Sequence, residues 1–384
     1  MSVTAAQGFR ASGVAAGLKS SGNPDVAVVV NDGPSRTAAA VFTSNRCKAN
    51  PVLWSQEAIK TGRASAVVIN SGGANCYTGA EGFATTHRTA ELAGERLGVG
   101  AVEVQVCSTG LIGLLNDRDD LLNGVGSAID QLSDDGGLKA ATAIMTTDTV
   151  AKEAVWSSGD GWVVGGMAKG AGMLAPALAT MLVTITTDAD IDATTADAAL
   201  RAATARTFDR LDSDGCQSTN DTVLLLASGS SGITPSLDAL TAAVTAVCHD
   251  LALQLLADAE GADHEITIDV VNAATEADAL EVGRSIARSN LFKCAIFGQD
   301  PNWGRILASV GTTQAAFDPA DLDVALNGVW VCRNSGPAES PDAVSLEERA
   351  VSVTVDLKAG DASATIWTND LTHAYVHENS AYST

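Results

Sequence analysis

The sequence predicts an α/β protein, on three observations. Short apolar runs of strand length alternate with segments of helical periodicity along the 384 residues. The composition is 46% hydrophobic but only 4% aromatic, which points to a core of small aliphatic side chains on many short elements. The length leads to an expectation of two domains.

The elements follow in order. Residues 26–30, 39–43 and 66–70 are early strands, and a polar, alanine-rich helix follows over 81–97. Residues 102–106 alternate apolar and polar and lead into Cys107-Ser108-Thr109-Gly110; helices then cover 118–132 and 137–145. Residues 181–186 are a short, β-branched, buried strand. The strongest helix spans 235–258, with Thr234 as its cap and Pro235 at its first position. In it Leu237, Leu240, Val244, Val247, Leu251 and Leu255 make one apolar stripe. The helix runs out at Glu260-Gly261, which brings a carboxylate onto a loop. Beyond it, 266–271 is a strand, 276–289 a helix, 334–349 a polar surface loop and 351–357 a further strand. The texture changes near residue 270, so a domain of residues 1–270 and a smaller α/β domain of 271–384 are expected.

Acidic residues number 46 against 23 basic, a net charge of −23. That balance argues against nucleic acid or an anionic membrane as partner. The seven cysteines are scattered and never spaced as Cys-x-x-Cys, which suits reduced thiols rather than a disulfide or zinc framework. The five histidines form no zincin motif, and His373 and His377 have metal-ligand spacing only on a helix. Their surroundings look extended, so no metal is expected. The chain has no basic-then-apolar leader and no run of ~18 apolar residues, and the cytoplasm is the expected location.

The chemistry concentrates in Lys169-Gly170-Ala171-Gly172-Met173-Leu174-Ala175-Pro176-Ala177-Leu178-Ala179-Thr180. Its glycines admit close approach or positive φ, and Pro176 stiffens the chain ahead of a lone hydroxyl. Thr180 is then either a plain strand-former or a nucleophile. Gly170-x-Gly172-x-x-Ala175 also matches a dinucleotide fingerprint, but Pro176 and a β-branched run stand where that motif needs a helix. A nucleophilic Thr180 needs a base, and no histidine stands out as one. Cleavage of the Ala179–Thr180 bond would supply it, because the new α-amino group, with a pKa near ~8, lies beside its own Oγ. The hydroxyl can make that cut by attacking the Ala179 carbonyl, shifting the acyl group to oxygen and leaving an ester for water. Thr109 and Gly110 offer a hydroxyl and an amide for an oxyanion hole, or else form a simple strand-to-helix turn. Lys169 could meet a substrate carboxylate or be a solvated charge. Glu260 could meet an ammonium group or merely end a helix.

At this point the chain resembles the ornithine acetyltransferase family of arginine biosynthesis. The resemblance is carried by Phe42-Thr43-Ser44-Asn45, Asn70-Ser71-Gly72-Gly73-Ala74-Asn75, Ser108-Thr109-Gly110-Leu111-Ile112-Gly113 and Met145-Thr146-Thr147-Asp148-Thr149. It continues through Lys169-Gly170-Ala171-Gly172-Met173, Ala179-Thr180-Met181-Leu182, Ser218-Thr219-Asn220-Asp221-Thr222 and Asp300-Pro301-Asn302-Trp303-Gly304-Arg305, ending at Asn379-Ser380-Ala381-Tyr382-Ser383-Thr384. These blocks fall in family order over essentially the whole chain. Gly73, and Trp367-Thr368-Asn369 before Asp370-Leu371-Thr372, depart from the family's usual residues without touching Thr180.

The resemblance implies a mixed αββα sandwich with a smaller C-terminal domain whose tail returns to the active site. It implies cleavage between Ala179 and Thr180 into chains 1–179 and 180–384, which assemble as an α2β2 heterotetramer. Thr180 would be the nucleophile, Thr109 and Gly110 the oxyanion hole, and Thr149, Lys169, Thr180, Glu260, Asn379 and Thr384 the substrate contacts. The implied reaction is ping-pong transfer of acetyl from N2-acetyl-L-ornithine to L-glutamate, releasing ornithine, with no cofactor; some members also use acetyl-CoA. The competing expectation is a self-processing amidohydrolase or aminopeptidase, in which water is the final acceptor.

Overall fold

The computed structural model describes residues 2–173 and 181–381. The chain runs through β1 (Phe9–Val14), β2 (Val26–Asn31), β3 (Thr37–Phe42), α1 (Asn50–Ala58), β4 (Ala66–Asn70), α2 (Gly79–Leu97), β5 (Val104–Ser108), α3 (Arg118–Asp130) and α4 (Gly137–Ala143). The hairpin β6 (Lys152–Ser157) and β7 (Val163–Lys169) is followed by β8 (Leu182–Thr187), α5 (Ala193–Arg206), β9 (Thr222–Ala227) and α6 (Leu237–Ala257). Then come β10 (Glu265–Ala273), α7 (Glu276–Ala287), α8 (Asn290–Phe297), α9 (Trp303–Val310), β11 (Asp323–Leu326), β12 (Val329–Arg333), β13 (Gly336–Pro337), β14 (Ala350–Asp356), β15 (Ala362–Asn369) and α10 (His373–Ala381).

Strands buried at every position dictate the layering, because both faces are covered. In β2, Val26, Val28 and Val30 share a cluster with Ala90 and Ala93 of α2 and Leu121 and Val125 of α3. The alternate residues Ala27 and Val29 share another with Leu182 of β8 and Leu224 and Leu226 of β9. In β9, Val223, Leu225 and Ala227 turn the other way, onto Leu200 of α5 and Val244, Val247 and Leu251 of α6. Two sheets, β1-β2-β4-β5 and β3-β9-β8-β7-β6, are thus stacked between two helical layers, which is the αββα sandwich.

A third sheet, β13-β12-β11-β14-β10-β15, has its own core, where Ile266, Ile268 and Val270 meet Val282 and Ile286 of α7. Residue 270 lies inside β10, which pairs along its length with β14 and β15.

Two local expectations are corrected. The long helix begins at Leu237 with Ser236 as its cap, whose Oγ accepts from the Ala239 amide at 3.2 Å. Thr234 and Pro235 lie ahead of it, because the serine sits three residues before an amide it can reach. The segment around His373 and His377 is not extended but is α10, and the Thr372 Oγ1 at its start accepts from the Tyr375 amide at 2.9 Å. No cluster of His, Cys, Asp and Glu fit to hold a metal occurs among the described residues.

Candidate active site

Strand ends from both sheets of the sandwich meet at one place. Lys169 closes β7 and stands in register with Leu182 of β8, which in turn stands in register with Thr222 of β9. Thr109 follows β5 in the facing sheet, its amide held by the Asn70 carbonyl at 2.9 Å. The Lys169 side chain spans the gap between the sheets. Its Nζ donates to Thr109 Oγ1 at 3.1 Å and to Thr146 Oγ1 at 2.6 Å. Lys169 is only 1% exposed, so its ammonium is a built-in charge rather than a solvated one.

Gly110 has φ +123°, and a Cβ there would stand 2.9 Å from the Gly72 carbonyl oxygen, so only glycine fits. The block Asn70 to Ala74 is thus the backing of the Thr109-Gly110 turn. Asn70 Nδ2 donates to Ser108 Oγ at 2.8 Å, and Asn116 Nδ2 donates to Asn70 Oδ1 at 2.9 Å.

A buried charge chain leads away from Lys169. Asp148 Oδ1 accepts from the Gly170 amide at 2.6 Å and from Lys152 Nζ at 2.7 Å; its Oδ2 accepts from the Thr146 amide at 2.9 Å. Lys152 Nζ also donates to Asp258 Oδ2 at 2.5 Å, and Asp258 holds the Thr149 amide at 3.0 Å and the Thr149 hydroxyl. Burial works to raise the Asp148 pKa, but Lys169, Lys152 and the amide hydrogen bonds outweigh it and bring it down to about 2. Burial lowers the Lys169 pKa, against the attraction of Asp148, Asp221 and Glu260.

Glu260 accepts from Asn379 Nδ2 at 3.0 Å, and its backbone amide donates to the Ala171 carbonyl at 2.9 Å. A Cβ on Gly172 would come within 2.6 Å of the Glu260 carboxylate, so the glycine lets the acid lie against the loop. Thr149, Asp258, Glu260 and Asn379 line a cavity of about 340 Å³. A second cavity of about 540 Å³ reaches Gly110, Thr146 and Asp148 from another side. Such volumes hold amino-acid-sized ligands.

The structure therefore brings Thr109, Gly110 and Lys169 into one cluster, and Thr149, Glu260 and Asn379 around one cavity. Ala179, Thr180 and Thr384 lie outside the described residues. Sequence reasoning gave no role to Thr146, Asp148, Lys152, Asp258 or Asp221. Asp221 is buried, and its Oδ1 accepts from the Met181 amide at 3.1 Å. Burial pushes its pKa well above the usual carboxylate range. Asp148 and Asp221 both stand inside resembling blocks, but an aspartate beside threonines reads equally as a turn former.

Comparison with known proteins gives the family. The pattern of the ArgJ family matches residues 10–384. The arginine biosynthesis bifunctional protein ArgJ of Streptomyces coelicolor is 65% identical over 383 residues, covering 100% of each chain. The crystal structure of arginine biosynthesis bifunctional protein ArgJ from Bacillus halodurans is 35% identical, covers 52% of this chain and 98% of its own, and has a TM-score of 0.50. Ornithine acetyltransferase complexed with ornithine, from Mycobacterium tuberculosis, is 53% identical over 47% of this chain and 96% of its own, with a TM-score of 0.45. Because the match takes in every segment that builds the cluster, from Thr109 through Lys169 and Glu260 to Asn379, the chain belongs to the ArgJ family.

Proposed function

We propose that this chain is a glutamate N-acetyltransferase of arginine biosynthesis, moving acetyl from N2-acetyl-L-ornithine to L-glutamate through an ester on Thr180. Family membership supports the reaction class. One observation supports the site above all. Leu182 stands in register with Lys169, whose Nζ lies on Thr109, and Met181 is anchored by Asp221. The chain resumes after Ala179-Thr180 next to the pair suited to hold an oxyanion.

The hydroxyl of Thr180 first attacks the Ala179 carbonyl; the C–N bond breaks, which frees the Thr180 α-amino group and leaves an ester on Oγ, and water then hydrolyses that ester, releasing the Ala179 carboxylate and regenerating the hydroxyl. That amine then takes the hydroxyl proton as Oγ attacks the acetyl carbonyl of acetylornithine. The oxyanion faces the Thr109 hydroxyl and the Gly110 amide. The C–N bond breaks, the proton passes to the departing nitrogen, and ornithine leaves. The amine of glutamate attacks the ester carbonyl and gives up a proton; the C–Oγ bond breaks, releasing N-acetylglutamate and the threonine. Lys169 and Glu260 offer opposite charges to the carboxylate and ammonium groups that amino-acid substrates carry. The two-chain reading is supported by the Bacillus halodurans chain, 98% of which is matched by 52% of this one. Acetyl-CoA is a second donor in this reading, the mature assembly is α2β2, and the location is the cytoplasm, where seven free cysteines stay reduced.

Acetyl transfer to glutamate, with acetylornithine and acetyl-CoA supplied in separate assays, tests the proposal. Release of free acetate from acetylornithine, with no acetylglutamate formed, would make the protein an amidohydrolase instead. Two further outcomes are expected. Thr109→Ala should cut turnover by ~100-fold or more, the usual loss for one oxyanion donor; a rate near wild type removes Thr109 from that role. Asn379→Ala deprives Glu260 of its partner and should raise KM by about fivefold, the worth of ~1 kcal/mol. Deletion of Ser383 and Thr384 should act in the same direction. Unchanged kinetics in both variants would make the tail purely structural.

A further inference from the structure

Lys169 has a geometry that a substrate contact alone does not require. Two of its three ammonium hydrogens are spent on protein hydroxyls, Thr109 Oγ1 at 3.1 Å and Thr146 Oγ1 at 2.6 Å. An ammonium group donates and never accepts, whereas a threonine hydroxyl has one hydrogen and two lone pairs. With one lone pair turned to Lys169, the Thr109 hydrogen must point away from it. No acceptor for that hydrogen occurs among the described residues. Thr109 is buried, and its amide is tied to Asn70, so the side chain has little freedom to re-aim.

We infer that Lys169 is a positioning residue for the oxyanion hole: by donating to Thr109 Oγ1 it fixes the hydroxyl rotor so that the hydrogen points at the site where negative charge develops. This rests on the reading of Thr109 as an oxyanion donor. A rotor free to turn must be reoriented as the charge appears, whereas a fixed donor is already aimed when the oxyanion forms. Thr146 anchors the lysine at its shorter contact. Asp148 does not bond Lys169, but it holds the amides of Thr146 and Gly170 on either side of it. The third ammonium hydrogen remains for a substrate carboxylate, so the two roles coexist.

Self-cleavage separates the two roles, because it builds an oxyanion on the Ala179 carbonyl with no amino-acid substrate present. The experiment compares wild type, Thr109→Ala, Lys169→Met and the double variant in the full chain. The readouts are the rate at which the 180–384 chain appears and, for processed enzyme, kcat and KM. Lys169→Met should slow self-cleavage by about tenfold or more and lower kcat. Adding it to Thr109→Ala should cost less than about a further twofold, since neighbours that act through one group are not additive. Multiplicative losses, or a rise in KM with self-cleavage unchanged, would overturn the inference. If Thr109→Ala itself cleaves and turns over like wild type, the oxyanion reading fails rather than this one. Thr146→Val covers the case in which Lys169→Met does not fold. It removes only the lysine's anchor and should lower kcat in the wild-type background but not in the Thr109→Ala background. An equal loss in both backgrounds would again overturn the inference.

Discussion

Thr180→Ala is expected to yield one uncut chain of 39.0 kDa that turns over no acetylornithine. Both losses have one cause. The hydroxyl that would open the Ala179–Thr180 bond is the same one that would carry the acetyl group, and the base that activates it exists only after the cut. Denaturing electrophoresis with intact-mass measurement separates the outcomes. Thr180→Ser, which keeps a hydroxyl, should cleave and retain measurable turnover. A Thr180→Ala protein that still splits between residues 179 and 180 would show that another group makes the cut.

The second large effect is on stability. Asp148→Asn should destabilise the fold by about 3 kcal/mol at neutral pH, the lower end of the cost of breaking a buried ion pair, because Lys152 keeps Asp258. Lys169 and Lys152 would remain buried with one fewer counter-charge. The pH dependence follows from the depressed Asp148 pKa. Its folded value of about 2 lies below the ordinary 3.8, so its contribution is fully present above pH 3.8 and is lost as the pH falls towards 2. The stability gap between wild type and variant should accordingly shrink over that window, by about 2 kcal/mol. Urea melts at neutral pH and at two acidic values measure it. A gap that stays constant with pH would mean that the charge of Asp148 contributes nothing.

The sandwich was legible wherever burial imposed a period. Residues 26–30 and 66–69 are apolar at consecutive positions, the run at 181–186 is interrupted only by Thr184 and Thr186, and every residue of β2, β4 and β8 is buried in the structure. The stripe of α6 was legible for the same reason, although its start was not, because a threonine and a serine two residues apart compete to cap it. The helix α10 carries no apolar stripe, and none of its residues is buried, so nothing in its pattern distinguished it from extended chain. At the site, Thr109, Gly110, Lys169 and Glu260 could be nominated, since a hydroxyl, a glycine or a charge beside a strand end has an obvious chemistry. Asp148 and Asp221 could not. Their importance comes from being surrounded, by two lysines in one case and by apolar burial in the other, and that is a property of the assembled sheets.

The central claim is that Thr180, freed by self-cleavage, carries the acetyl group. The most direct measurement mixes purified enzyme with acetylornithine, without glutamate, and determines the masses of both chains and of their peptides. The account predicts a 180–384 chain that begins at Thr180 and gains the mass of one acetyl group on that residue, which disappears when glutamate is added. An acetyl group on any other residue, or turnover by a chain that does not begin at Thr180, would contradict it.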